Sequence, residues 1–347
     1  MTAKDAPNPP PLGVDREARG PDAHRASVAL VIGATGGIGG AVAERLVAAG
    51  WRVRAMNRNP DAARVGREGF EWVKGDAMIE ADVVAAAEGA SLIVHGANPP
   101  RYRNWAGLQL PMLGATIAAA KASGARIVFP GAVYNYGPDA FPSIGEDDAQ
   151  NPISRKGAIR VKMEQALRRA ANAGVKVLIV RAGDFFGPRP GNNWLSQALV
   201  KPGKPLAAVS YPGPLAIAHC WAYLPDVAET IVRLLTNNAG FADYETFHMR
   251  GQSLTGDELV AALSEAAGRK LAVSRPPWIA IKAMAPFNET LREVLEMRYL
   301  WDRPVLLDNS KLVARLGEEP RTPIVDALRT ALAGMDALPR TALEIAA

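Results

Sequence analysis

"VALVIGATGGIGGAVAERL", residues 28–46, runs from five consecutive apolar residues through a glycine-rich turn into a helical pattern. Gly33 permits a tight turn at the end of the strand, and Gly36 lets the backbone approach a pyrophosphate. Gly39 lets helix and strand pack closely, while the helix N-terminus faces the phosphate charge. A lone glycine triplet is a weak signal, so the surrounding chain decides its value.

Working outward, apolar runs alternate with helical patterns. "SVALVIG" is followed by the helix "GIGGAVAERLVAAG", then "WRVRAMN", "FEWVKGD" and the helix "ADVVAAAEGA". Next come "SLIVHGA", a long helix ending in "LGATIAAAKASG", "ARIVFPG", the helix "SRKGAIRVKMEQAL" and "VKVLIVRAGDFFGP". Short strands alternating with helices predict an α/β fold: a Rossmann-type, doubly wound parallel sheet with right-handed crossovers. Residues 27–185 are the expected nucleotide-binding domain. Beyond 185 proline and glycine increase, and helices return at "DVAETIVRLL", "TGDELVAALSEAAG" and "TPIVDALRTALAG". Residues 186–347 therefore read as a smaller substrate-binding lobe. It is interleaved with the sheet and packed on its carboxyl edge, where open α/β sheets bind ligands. Residues 1–26, rich in proline and charge without an apolar core, read as a disordered leader.

Bulk composition removes several classes. The net charge is +5, but Lys and Arg are scattered and aromatics are 6%, so no nucleic-acid surface is expected. No apolar run approaches the ~20 residues that span a bilayer. One cysteine, Cys220, allows no internal disulfide and fits a reducing compartment, the cytoplasm. Four dispersed histidines make no metal site. A small-molecule ligand is left as the expected partner.

The second strand ends "VRAMNRNP". A carboxylate there would hold ribose hydroxyls and repel a 2′-phosphate. Asn57 stands in its place, and Arg58 could pair with a phosphate, which favours NADP over NAD. On the later helix, Ile159, Met163, Ala166, Leu167 and Ala170 make one apolar arc at 100° per residue. Lys156 falls inside that arc and Arg160 at its margin, so two cations face the packing side.

The ordered motifs resemble the extended short-chain dehydrogenases/reductases, the NAD-dependent epimerase/dehydratases, from Ser27 to about Leu332. "GATGGIGG" is similar to that family's nucleotide loop and would set Thr35, Gly37 and Ile38 beside the glycines. "KGDAM" supplies Asp76 and Ala77 at the adenine, and "VHGAN" supplies Gly96, Ala97 and Asn98 beneath the cofactor. "VRAGDFFGP" resembles the pattern RPxNxxGP, with Asp184 in place of Asn. "WAYLPDVAETI" and "DNSKLVARLGEEP" match later family motifs.

The family's catalytic Tyr-x-x-x-Lys pair aligns with Lys156 and Arg160, and its Ser/Thr with Pro130–Ala132. Arg160 could hold the nicotinamide ribose but cannot exchange protons. Lys156 could, if burial and the neighbouring Arg160 lower its pKa. Tyr134 and Tyr136 on the neighbouring loop are secondary proton-donor candidates, with aromatic packing as the stronger alternative for both. His219–Cys220 and His95 read as core residues. "PPRYRNW", residues 99–105, is a substrate-contact candidate or a solvated loop.

The resemblance thus implies an NAD(P)-dependent oxidoreductase or epimerase-like enzyme acting on a small hydroxyl or carbonyl compound, with sugar-derived compounds as one candidate class. NADP is the favoured cofactor and NAD the alternative. The competing reading is an NADP-binding sensor or scaffold whose catalysis has decayed. Related enzymes pair through the helices after strands four and five, so a homodimer is an open expectation.

Overall fold

The computed structural model describes residues 27–67, 69–99, 104–189 and 193–339. The leader and most of "PPRYRNW" (100–103) lie outside them.

Five strands alternate with five helices in the first half of the chain. They are β1 (Val28–Ile32), α1 (Gly37–Ala48), β2 (Arg52–Asn57), α2 (Pro60–Ala63), β3 (Phe70–Lys74), α3 (Glu80–Ala86), β4 (Ala90–His95), α4 (Trp105–Ser123), β5 (Arg126–Gly131) and, after a short strand β6 (Ser143–Ile144), α5 (Arg155–Asn172). β7 (Val177–Arg181) follows α5. β1 is buried throughout. Its residues alternate between two cores, as the period of two dictates. Ala29 and Val31 join Val42, Ala43 and Leu46 of α1. Leu30 and Ile32 join Leu113 of α4 and Met163 and Leu167 of α5 on the opposite face. Helices on both faces explain why the strands are apolar runs and not alternating ones.

"VKVLIVRAGDFFGP" is not one strand. It breaks after Arg181, and β8 (Asp184–Phe186) pairs with a different sheet. Gly183 is the hinge, because a Cβ there would overlap the Cys220 carbonyl. β9 (Ala208–Ser210), β10 (Ala218–Tyr223) and α6 (Leu224–Thr236) come next, then β11 (Tyr244–His248). β11 pairs in parallel with β7 and completes a seven-stranded sheet of order β11-β7-β5-β4-β1-β2-β3.

The chain beyond residue 185 also contributes to the sheet and to its helical layer. α6 packs Val227, Ala228 and Ile231 onto α1, and β11 supplies an edge of the sheet. The remaining elements are β12 (Gln252–Thr255), α7 (Gly256–Ala266), β13 (Ala272–Ser274), α8 (Trp278–Met284), α9 (Glu289–Glu296), β14 (Leu306–Leu307), α10 (Ser310–Leu316) and α11 (Ile324–Gly334), and all but α10, whose Leu312 joins the core of α1 and α6, form the lobe. α7 and α11 share a core with β10 through Leu259, Leu263, Leu328 and Trp221. Among the described residues no helix is long and apolar enough to cross a membrane.

Candidate active site

Strand order reverses between β1 and β4, and this is where an open sheet leaves a crevice. The two strand ends are stapled together, with Gly96 N–H donating to the Ile32 carbonyl at 2.9 Å. Gly33 has φ +91°, and a Cβ there would stand 2.6 Å from the Gly96 oxygen. A Cβ on Gly96 would stand 2.9 Å from Gly39 Cα, and one on Gly39 would overlap the Gly33 carbonyl. Only glycine lets the turn, the first helix and the fourth strand come this close. The crevice above them has a volume of about 350 Å³. Gly33, Thr35, Gly36, Gly37, Ile38, Gly96, Ala97, Asn98 and Arg160 line it together.

Other expected cofactor residues lie off this cleft. Gly39 acts through packing alone. Asn57 ends β2, its Oδ1 accepting from Asn59 N–H at 2.8 Å, with Arg58 exposed beyond it. Asp76 follows β3, where its carboxylate accepts from Met78 N–H at 2.9 Å, with Ala77 half-buried beside it. These four sit at the ends of adjoining strands.

His95, Pro130, Phe185, Asn193 and Leu224 also line the cleft, although the sequence reading did not assign them there. His95 is buried, and burial followed by the Arg160 charge pushes its pKa down to about 3. Thr116 Oγ1 donates to the Met112 carbonyl, so it accepts from His95 Nδ1–H at 2.8 Å. The neutral ring then carries its lone pair on Nε2, which has no hydrogen-bond partner among the described residues.

α5 presents the two expected cations to different places. Ser154 caps the helix, its Oγ accepting from Gly157 N–H at 3.1 Å. Met163, Leu167 and Ala170 are buried along the arc, and Arg155, Lys162, Gln165, Arg168 and Arg169 are exposed. Arg160 reaches the cleft and donates to the Pro130 carbonyl at 3.2 Å. Lys156, 4% exposed, turns instead into a neighbouring cavity of about 400 Å³ under α8 and α9. There Nζ stands 3.3 Å from Glu293 Oε2. The indole of Trp105 lies beside both cations, 5.8 Å from Lys156 Nζ and 5.6 Å from the Arg160 guanidinium. Asn193 borders both cavities.

Burial pushes the Lys156 pKa down, and Glu293 opposes the shift. Repulsion from Arg160, the second cause anticipated from sequence, is not among the leading influences, which after burial are the carboxylates Glu293, Glu296 and Glu289. Tyr134 borders neither cavity, since its ring packs 6.3 Å from Trp105.

Behind the site lies a buried network that sequence reading missed. Arg181, the arginine of "VRAGDFFGP", donates to Glu164 at 2.8 Å, to the Ala132 carbonyl at 2.7 Å and to His248 Nε2 at 3.1 Å. Asn135 and Gln150 donate to the same carboxylate, fixing the loop after β5 to α5. Burial raises the Glu164 pKa, but Arg181 outweighs it and holds the carboxyl below its usual range. The Tyr136 ring lies under Arg181, which makes it part of this support. His219 is stacked on Trp301 and bonded to Asp184 at 2.6 Å. Cys220 bonds the Arg250 carbonyl, and its thiol is pushed up to about 12 by burial. No cluster that could hold a metal occurs among the described residues.

The sheet order, the glycine-lined crevice and the adjoining lobe define a dinucleotide-binding α/β protein. The chain belongs to the NAD dependent epimerase/dehydratase family, whose sequence model matches residues 29–249. Similar folds are found in UDP-glucose 4-epimerase from Bifidobacterium longum in complex with NAD+ and UDP (16% identity, TM-score 0.69, 89% of this chain and 98% of that one). The enzyme from Brucella ovis in complex with NAD is 18% identical with a TM-score of 0.68, covering 90% and 99%. The UDP-Glc/GlcNAc 4-epimerase of Campylobacter jejuni is 16% identical with a TM-score of 0.66, covering 89% and 99%. No curated protein matches the sequence.

Proposed function

We propose that the protein is a nicotinamide-dependent oxidoreductase or epimerase acting on a small hydroxyl or carbonyl compound, with NADP as its cofactor. The observation that carries this reading is the junction of two cavities. One is walled by the glycine turn, the other holds a buried amine, and they meet at Asn193. The cleft fits a dinucleotide on its own chemistry. Three interlocked glycines leave backbone exposed at the start of α1, and the buried His95 Nε2 and Arg160 Nε have no hydrogen-bond partner among the described residues. Gly36, Gly37 and Ile38 would hold the pyrophosphate at the helix N-terminus, and Arg160 the ribose. The cofactor would supply or accept hydride.

Lys156 moves the proton. As a ketone oxygen gains negative charge, the ammonium donates to it. In the alcohol direction the neutral amine takes the hydroxyl proton. Burial supports this role by bringing the amine closer to the working pH, and Glu293 holds its Nζ in place. The NADP preference rests on the missing carboxylate at Asn57 and on the exposed Arg58 next to it.

Fluorescence titration with NADPH and with NADH tests the cofactor. Saturable binding with NADPH tighter is expected, and absence of binding to either overturns the reading. A carbonyl screen followed at the NADPH absorbance then tests turnover. Tight NADPH binding without turnover of any carbonyl would point to the sensor instead.

A further inference from the structure

We infer that the cavity over Lys156 accepts an apolar ketone or secondary alcohol and not a nucleotide sugar, with the substrate oxygen placed at the Lys156–Glu293 pair. This rests on reading the adjoining glycine cleft as the cofactor site.

The cavity wall is the argument. Trp194, Trp278, Ile281, Leu291, Val294 and Met297 make most of it. These side chains come from α8, α9 and the π-helical turn Leu195–Leu199 with its flanking Trp194. A diphosphate needs several cations or free backbone amides to replace its water. Among the described residues of this wall the only cation is Lys156, and a carboxylate already stands 3.3 Å from its amine. Glu293, 8% exposed, also pairs with the Arg155 guanidinium at 3.4 Å, so the charges at that end are already matched to each other.

The other polar groups of the wall, Asn193, Gln197, Ser210 and Thr290, are neutral. An apolar body with one oxygen matches this distribution. The body takes the place of water against indole and aliphatic surface, and the oxygen meets the Lys156–Glu293 pair. The volume of about 400 Å³ suits a two-ring or medium-chain compound. The outer side of the same segment exposes Ile279, Met284 and Phe287, at 89%, 57% and 92%, so an apolar ligand meets apolar surface on approach.

The probe for the test is 6-propionyl-2-(dimethylamino)naphthalene, an aromatic ketone whose emission moves to the blue in apolar surroundings. With the full-length protein, one-site saturable binding with a blue shift is expected. The probe should be displaced by 2-octanone and unaffected by UDP-glucose. Ile281→Asp and Val294→Asp each place a charge in the wall and should weaken the probe by about tenfold or more. NADPH affinity, measured in parallel, should stay unchanged, which also reports that the variants are folded.

Displacement by UDP-glucose, absence of saturable binding, or equal affinity in both folded variants overturns the inference. Loss of NADPH binding in the wild type, with ketone binding retained, would instead overturn the cofactor reading and leave the apolar cavity standing.

Discussion

Lys156 and Arg160 stand one turn apart on α5, yet their side chains end in different cavities, and their substitutions should separate. Lys156→Met is expected to lower kcat by about 100-fold or more while NADPH affinity stays within about twofold. Arg160→Leu should chiefly weaken NADPH. Steady-state kinetics beside fluorescence titration checks the pair. Arg58→Glu should lower affinity for NADPH and spare that for NADH, since only the former carries a 2′-phosphate for the guanidinium to meet. Two buried histidines set the response to acid. Burial, then Arg160 for His95 and Arg181 for His248, holds both near a pKa of about 3. An unfolded histidine titrates near ~6.5, so between that pH and about 3 the unfolded chain binds more protons. Stability is therefore fully present above pH ~6.5 and lost as pH falls, by about 1.4 kcal/mol per pH unit for each histidine once well below that value. Glu164, held low by Arg181, adds to the loss below the ordinary carboxylate range. Urea midpoints from pH 8 to pH 3 measure this, and His248→Phe should flatten the slope by about one proton. The arc of α5 was legible because helical periodicity is a local property. Glu293, which faces Lys156, was not, because no spacing rule links α5 to a helix of the other lobe.

Elements carry the next layer of cause. The cap of α5 fixes the turn that holds Lys156, so Ser154→Ala is expected to cost about 1 kcal/mol of stability, read as a lower thermal midpoint. It should lower kcat more than NADPH affinity, since it loosens the end of the helix nearer the lysine. β1, α1 and β4 meet through Gly33, Gly39 and Gly96, where a Cβ has no space. The glycine spacing of the first turn was readable in the sequence, and so were the strands buried on both faces, since their apolar runs need no partner to be recognised. The division of 175–188 into two strands was not readable. Gly183 breaks the run only because the Cys220 carbonyl lies against it, and that strand comes from elsewhere in the chain. β11 escaped notice for a related reason: "YETFH" is short and half-exposed, and pairing with β7 alone makes it a strand.

On the scale of the whole molecule the nucleotide fold is closed by residues that come late in the sequence. Without α6, the core shared by β1 and α1 would lose Val227, Ala228 and Ile231, and without β11 the edge of β7 would be unpaired. A fragment of residues 27–185 is therefore expected to aggregate or to lack a cooperative urea transition, whereas one extended to residue 249 should gain the missing face and edge. Circular dichroism during urea unfolding of the two fragments checks this. The sequence by itself determined the parallel sheet, the glycine turn and the two cations on α5, because each is written in local period and spacing. Tertiary structure alone decided that these cations divide between a polar cleft and an apolar cavity, and that a carboxylate on α9 meets the lysine. That division depends on where the lobe lays its helices across the sheet, which is a matter of packing between segments far apart in the chain.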